Sequence, residues 1–317
     1  MRGVFLDRDA LDNGDIDITP LAETLPDWTF HSLTRDAEVG ERIAEVEVVV
    51  SNKAVIDAAA LAHAAKLKLI CVSATGTNNV DLDAARQRGI VVCNVRSYAT
   101  ATVVEHVFAL MLSLRRQLPA YCDAVKAGCW QRSPQFGLLD FTIGELHGST
   151  LGIVGYGELG RAVARVGEAF GMRILVAARS ESDVEGGRLS LCMLLSQVDV
   201  LSLHVPLTAQ TAGLIGPAEL ALMKPTALLI NTARGGIVDE QALAAALRTH
   251  RLGGAGIDVL TTEPPVTDNP LLAPDIPNLI VTPHIAWASR EARQRLVEEV
   301  AANIRAFFAG EMRNRVG

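Results

Sequence analysis

Short apolar runs recur along the chain, each followed by small or polar residues and then by a stretch with helical spacing of its apolar positions. Residues 3–6 (GVFL), 46–50, 67–72 (LKLICV) and 90–93 are predicted strands; a polar segment covers 31–45, and helices are predicted over 57–65 and 81–88. Continuous apolar runs, unlike alternating ones, mark strands covered by helices on both faces. The alternation of the two element types describes a small α/β domain with a parallel sheet. Residues 100–116 (TATVVEHVFALMLSLRR) are apolar almost all round, which predicts a long helix buried between domains, with Pro119 ending its neighbourhood.

The stretch TLGIVGYGELGRAVARVGEAFGMRILVAA begins at Thr150. It reads as a buried strand over 151–154, the turn Gly155, Gly157, Gly160, a helix carrying Leu159, Val163, Val166 and Phe170, and a second strand over 174–178. Strand, G-x-G-x-x-G, helix and strand within about thirty residues form the unit that holds a dinucleotide. Gly155 permits the tight turn, Gly157 lets the backbone approach a pyrophosphate, and Gly160 lets the helix pack on the strand. The helix N-terminus offers free amides and a partial positive charge to the phosphates. Strands are then predicted at 198–203, 227–231, 255–259 and 279–282, and helices at 218–223, 240–248 and 289–309.

The pattern predicts an α/β protein of two Rossmann-like or flavodoxin-like parallel-sheet domains with a cleft between them. Residues 1–99 plus 288–317 form a discontinuous substrate-binding domain, because the last helix crosses back, and residues 100–287 form the dinucleotide-binding domain. Ligands of such sheets bind at the carboxyl ends of the strands.

Composition narrows the function. The chain has 317 residues, 49% of them hydrophobic but only 4% aromatic, so the cores consist of Ala, Val, Leu and Ile. A formal charge of −7 argues against a nucleic-acid partner or a polybasic membrane patch, and an anionic substrate must be caught by local cations. The five cysteines form no C-x-x-C pair, so neither a disulfide framework nor a metal site is expected. With no basic leader and no run of eighteen apolar residues, a cytoplasmic protein is expected.

Three polar residues stand just past strands of the second half: Arg234 in NTARGG, Glu263 in DVLTTEPP and His284 in TPHIAW. A dinucleotide, a cation, an acid and an imidazole suggest hydride transfer to a carbonyl. Arg234 can hold a substrate carboxylate by a two-pronged bond. His284 can supply the proton as charge builds on the oxygen, and Glu263 beside it favours the imidazolium. The bland readings are a surface arginine, a turn before Pro264 and a satisfied core histidine. His106 reads as a packed, hydrogen-bonded histidine, and His204 as lining the cofactor cleft.

The set GYGELG, HVPLTAQT, NTARGGIVDE, GAGIDVLTTEPP and TPHIAWAS resembles the D-isomer-specific 2-hydroxyacid dehydrogenase family over nearly the whole chain. VSATGTNNVDLDAARQRGI and ATVVEHVFALML are similar to its glycerate dehydrogenase (hydroxypyruvate reductase) branch. The resemblance implies an NAD(P)-dependent enzyme reducing a small 2-oxo acid, hydroxypyruvate or glyoxylate, to the D-2-hydroxy acid. It implies Arg234 as carboxylate anchor, Glu263 as partner of the acid/base and His284 as the acid/base. It adds backbone amides around Ala74, Thr75 and Gly76 as carboxylate contacts, with Asn52 and Lys53 near the mouth, and Asp258 as a contact of the nicotinamide amide. The candidate cofactor residues also include Glu158, Leu159, Pro206, Thr211, Thr232 and Ala233. A homodimer is expected. The alternative is a dinucleotide-sensing regulatory protein of the same fold. Phosphoglycerate dehydrogenases are disfavoured by the length of the chain, and formate dehydrogenases by Glu263, where they carry Gln.

One position departs from the family pattern. The second strand of the dinucleotide unit usually ends in an acid that binds the ribose hydroxyls; here it ends in Ala178, followed by Arg179 and Ser180. An arginine at this place accommodates a 2′-phosphate, which favours NADP(H) slightly and leaves NAD(H) possible.

Overall fold

A computed structural model describes the chain except residues 180–183, 185, 186, 266, 267 and 317. It contains twelve strands among the described residues: β1 (Arg2–Phe5), β2 (Asp27–Phe30), β3 (Val48–Ser51), β4 (Leu69–Val72), β5 (Val91–Cys93), β6 (Thr150–Val154), β7 (Arg173–Val176), β8 (Val200–Leu203), β9 (Leu228–Asn231), β10 (Gly254–Ile257), β11 (Leu279–Val281) and β12 (Arg315–Val316). They form two six-stranded sheets, and the chain divides into two compact units, Met1–Ala99 with Trp287–Gly317, and Thr100–Ala286. The expected break at 287/288 lies one residue from the observed one.

In the first unit the strand order is β12-β5-β4-β3-β1-β2. All pairings are parallel except that of β12 with β5. Every residue of β3 (VVVS) and β4 (LICV) is buried. Helices cover both faces, which is why these strands read as continuous apolar runs. On one face the helix Arg290–Phe308 lays Leu296, Val297, Val300 and Ile304 against Val48, Val50, Leu69 and Cys71. On the other, Val39 and Ile43 of the helix Asp36–Ile43 join Val4, Val49 and Ile70. Each such aliphatic side chain taken out of water contributes about 1.5–3 kcal/mol. Two strands and this helix escape the sequence pattern. β2 is an edge strand of only four residues with a half-exposed alternation, and β12 has two residues. The helix lies within the polar segment 31–45 because only Val39 and Ile43 of its eight residues face the core.

The second unit has the order β11-β10-β9-β8-β6-β7, parallel throughout. A single parallel bridge from Ala177 to Leu189 extends it beyond β7. The long helix Thr100–Arg115 buries Val103, Val104, Val107, Phe108, Leu110, Met111 and Leu114. Pro119 does not end a helical region, as expected, but sits in the first turn of a new helix, Leu118–Lys126, where its missing N–H costs nothing. The reversal between the two helices is made at Gln117, whose φ is 54°. Because all strands run the same way, the residues after β6, β8, β9, β10 and β11 emerge at one edge of the sheet.

Candidate active site

The glycine turn between β6 and the helix Glu158–Ala169 fits the tasks set for it. Gly155 has φ +95°, and a Cβ there would strike the His204 carbonyl. A Cβ on Gly160 would strike the Gly155 carbonyl oxygen, so the helix can start only this close to the turn with glycine. Around Gly157, by contrast, a Cβ would meet nothing within 4 Å. Gly157 is also the N-cap, so the amides of Glu158, Leu159 and Gly160 have no intrahelical acceptor.

Further open valences stand at the ends of the next two strands. Thr232, which follows β9, is buried and its hydroxyl has no partner among the described residues. His204, which follows β8, pairs its Nε2 with Ser202 Oγ at 2.9 Å, while its buried Nδ1 has none. Burial pushes the His204 imidazole down to about 4, so it is neutral near pH 7. A space beside a glycine, free helix amides and orphaned polar atoms at strand ends are the donor set a dinucleotide uses. The residues therefore fit such a cofactor.

The three chemical residues sit at the ends of β9, β10 and β11. Asn231 closes the NTAR turn from both sides: its Nδ2 donates to the Arg234 carbonyl at 2.9 Å and its Oδ1 accepts from Ala233 N at 3.0 Å. Arg234 Nη1 donates to the Ala233 carbonyl at 2.6 Å, leaving the rest of the guanidinium fork for a carboxylate. His284 and Glu263, 21 residues apart, meet through Nδ1 and Oε2 at 2.6 Å. Both are partly exposed, 27% and 34% of their side chains. The other Glu263 oxygen accepts from Leu260 N at 2.8 Å, which fixes the carboxylate.

His284 has a left-handed backbone, φ 55°. A non-glycine residue is held there only by its surroundings. Its N–H donates to the Asp258 carbonyl at 2.8 Å. The Asp258 carboxylate accepts from Thr282 Oγ1 at 2.5 Å and from the amides of Ile285 and Ala286, both at 2.9 Å. His106 Nε2 pairs with the same Thr282 hydroxyl at 3.0 Å. Asp258 is 1% exposed, and its oxygens tie down the loop that carries the imidazole.

Several other candidates have internal partners. Glu158 accepts a short bond from Thr100 Oγ1. Thr211 Oγ1 donates to the Pro206 carbonyl at 2.6 Å, so these two candidates brace one loop. Arg179 is exposed after β7, and Ser180 lies outside the described residues. In the first unit, Asn52 and Lys53 follow β3. Their amides donate to the two oxygens of buried Asp7, at 2.8 and 2.5 Å, and Ala54 N joins at 2.9 Å. Asn52 Nδ2 donates to the Ser73 carbonyl at 2.7 Å. Thr75 Oγ1 donates to the Val95 carbonyl at 2.8 Å, while the amides of Ala74, Thr75 and Gly76 meet no acceptor among the described residues.

Sequence reasoning missed Asp7, Asn231 and Thr282 as supports of their loops. Asn231 lies inside NTARGGIVDE, and Thr282 two positions before His284. Asp7 had no signal, since its partners are 45 to 47 residues away. Among the described residues no group of three His, Cys, Asp or Glu side chains is placed to hold a metal, and no helix is long and apolar enough to cross a membrane.

Residues 108–286 match the family model described as D-isomer specific 2-hydroxyacid dehydrogenase, NAD binding domain. The chain is similar to the glycerate dehydrogenase of Methylorubrum extorquens, 45% identical over 99% of this chain and 98% of that protein. It is similar to the hydroxypyruvate reductase of Blautia hydrogenotrophica, 35% identical over 100% and 99%. A D-lactate dehydrogenase from Aquifex aeolicus, solved with NAD and lactic acid, superimposes with a TM-score of 0.81 at 30% identity, covering 98% of this chain and 96% of that one.

Proposed function

The chain belongs to the D-isomer specific 2-hydroxyacid dehydrogenase family, and from that premise we propose that it reduces a small 2-oxo acid, hydroxypyruvate or glyoxylate, to the D-2-hydroxy acid. The observation that carries the reading is the 2.6 Å contact of His284 Nδ1 with Glu263, at the strand ends shared with Arg234. It leaves Nε2 of the ring to give its proton to the ketone oxygen. A bound reduced nicotinamide supplies the hydride. Arg234 holds the substrate carboxylate by its fork, which fixes the ketone relative to the proton donor. Glu263 orients the ring and balances its charge. Within the first unit, the amides of residues 74–76, with Asn52 and Lys53, are the residues suited to a carboxylate. Rapid oxidation of NADH or NADPH by hydroxypyruvate or glyoxylate, and none by oxo compounds lacking the carboxylate, is the expected outcome of a substrate panel. Turnover independent of the carboxylate would overturn the reading.

A nicotinamide dinucleotide is the cofactor. For the finer choice, Ala178 in place of an acid and Arg179 beside it support acceptance of NADPH as well as NADH. Arg179→Ala is expected to lower kcat/KM for NADPH by about 1.5–3 kcal/mol, the worth of a bond to a charged group, and to leave NADH nearly untouched. Equal loss for both cofactors would reject the 2′-phosphate role. A cytoplasmic homodimer completes the reading. What supports the dimer is the apolar surface of Trp130, Phe136 and Leu139, which are 50%, 100% and 79% exposed. Light scattering that returned a monomer mass would remove it.

A further inference from the structure

Glu240 has no part in the reaction derived above, yet its carboxylate is spent on the loop that carries Glu263. It is the first residue of the helix Glu240–Arg248, directly after the NTARGGIVD turn. Its Oε1 accepts from the Thr261 amide at 2.7 Å and from Thr261 Oγ1 at 2.9 Å. Its Oε2 accepts from Asn269 Nδ2 at 2.9 Å. Asn269 cannot turn its amide round, because its Oδ1 caps Leu271 N at 2.9 Å. One carboxylate therefore grips both sides of Glu263. The grip falls on the residue next to the one Glu263 itself uses: Leu260 N donates to Glu263 and Thr261 N to Glu240. Gly235 presses on the same peptide, since a Cβ there would collide with the Leu260 carbonyl and lie 2.6 Å from Thr261 N. The turn that presents Arg234, the helix start and the loop of Glu263 thus share a single peptide unit as their common support.

We infer that Glu240 is a positioning residue for the acid/base pair: by clamping Thr261 and Asn269 it sets the Glu263 carboxylate at bonding distance from His284. The inference rests on the proposed roles of Glu263 and His284. A merely structural reading is available, because an acid in the first turn of a helix stabilises it wherever it points. The two readings differ in coupling. A residue that acts through Glu263 has nothing left to position once Glu263 is changed, whereas a structural contribution persists.

The test is a double-mutant cycle on the full-length enzyme with hydroxypyruvate and the reduced cofactor. Glu240→Ala is expected to lower kcat about tenfold, a fraction of the roughly 10²–10⁴ a proton donor contributes, with cofactor Kd within about twofold of the parent. Glu240→Gln keeps the acceptor for Thr261 and loses only the Asn269 bond, so it should recover most of that loss. In a Glu263→Gln background, Glu240→Ala should change kcat less than about twofold. Thr261→Val, which removes one bond and leaves the helix untouched, carries the same cycle if Glu240→Ala does not fold. An undiminished loss in the Glu263→Gln background, or a kcat within twofold of the parent for the foldable single variant, overturns the inference alone. If Glu263→Gln by itself leaves kcat unchanged, the acid/base pairing falls, and the positioning role with it.

Discussion

In the first unit β1 lies between β2 and β3, and in the second β6 lies between β7 and β8, so each sheet reverses its strand order beside its first strand. Such a reversal opens a crevice at the carboxyl ends of the strands. In the first unit the chain fills this crevice itself. Asp7, two residues past β1, sends a buried carboxylate to the three amides that follow β3. In the second unit the corresponding positions are Gly155 and His204, and the space beside Gly157 stays clear. The same topology accepts an internal anion in one unit and is built for an external one in the other. Topology makes the crevice, and two or three residues after the first strand decide what occupies it.

The comparison predicts where damage should be functional and where structural. If the open side of the second unit is where chemistry occurs, His284→Ala should lower kcat by roughly 10²–10⁴ while cofactor binding and thermal stability survive. A kcat within about threefold of the parent would place the proton donor elsewhere.

Asp7→Ala is the converse experiment on the filled crevice. It leaves three amides without their acceptor, and the enzyme should lose about 2–5 kcal/mol of stability in urea denaturation. An unshifted unfolding midpoint would mean that water replaces the carboxylate and that the first crevice is as open as the second.

His204 provides an acid test of the second crevice. Its folded value of about 4 lies below the ordinary 6.5. The unfolded chain therefore binds the extra proton first, and stability falls as pH drops from 6.5 towards 4, then levels off. At about 1.4 kcal/mol per pH unit, the loss is at most about 3.5 kcal/mol. His204→Gln should show a smaller drop in Tm between pH 7 and pH 4.5, and an identical drop would show that other groups govern acid unfolding.

The smallest expected effect is at Gly157. Its backbone is ordinary and a Cβ would meet nothing in the protein, so Gly157→Ala should leave Tm unchanged. If a pyrophosphate approaches this turn it meets that Cβ, and Kd for the reduced dinucleotide should rise about tenfold, equivalent to about 1.4 kcal/mol. Unchanged affinity would mean that the pyrophosphate does not approach this turn.

The amino-acid sequence by itself determined the features that depend on neighbours along the chain. The glycine turn is legible because its three glycines stand at fixed spacing between two apolar runs, and sterics within the turn require Gly155 and Gly160. The strands β3, β4 and β8 are legible because burial on both faces leaves an unbroken apolar run. Arg234, Glu263 and His284 stand out as candidates because each follows such a run within a few residues, and parallel strands bring their ends to one edge. The pairing of Glu263 with His284 was expected from the sequence; only the tertiary structure decided the other meetings: Asp258 with the loop after β11, Glu240 with Thr261 and Asn269, and Asp7 with residues 52–54. It also buried Asp258 as the anchor of that loop, and held His284 at a left-handed backbone angle. The physical reason is that apolar burial is written as a periodic pattern, which a local stretch displays. A hydrogen bond between groups twenty or more residues apart depends on the register and separation of whole strands, which no local stretch contains.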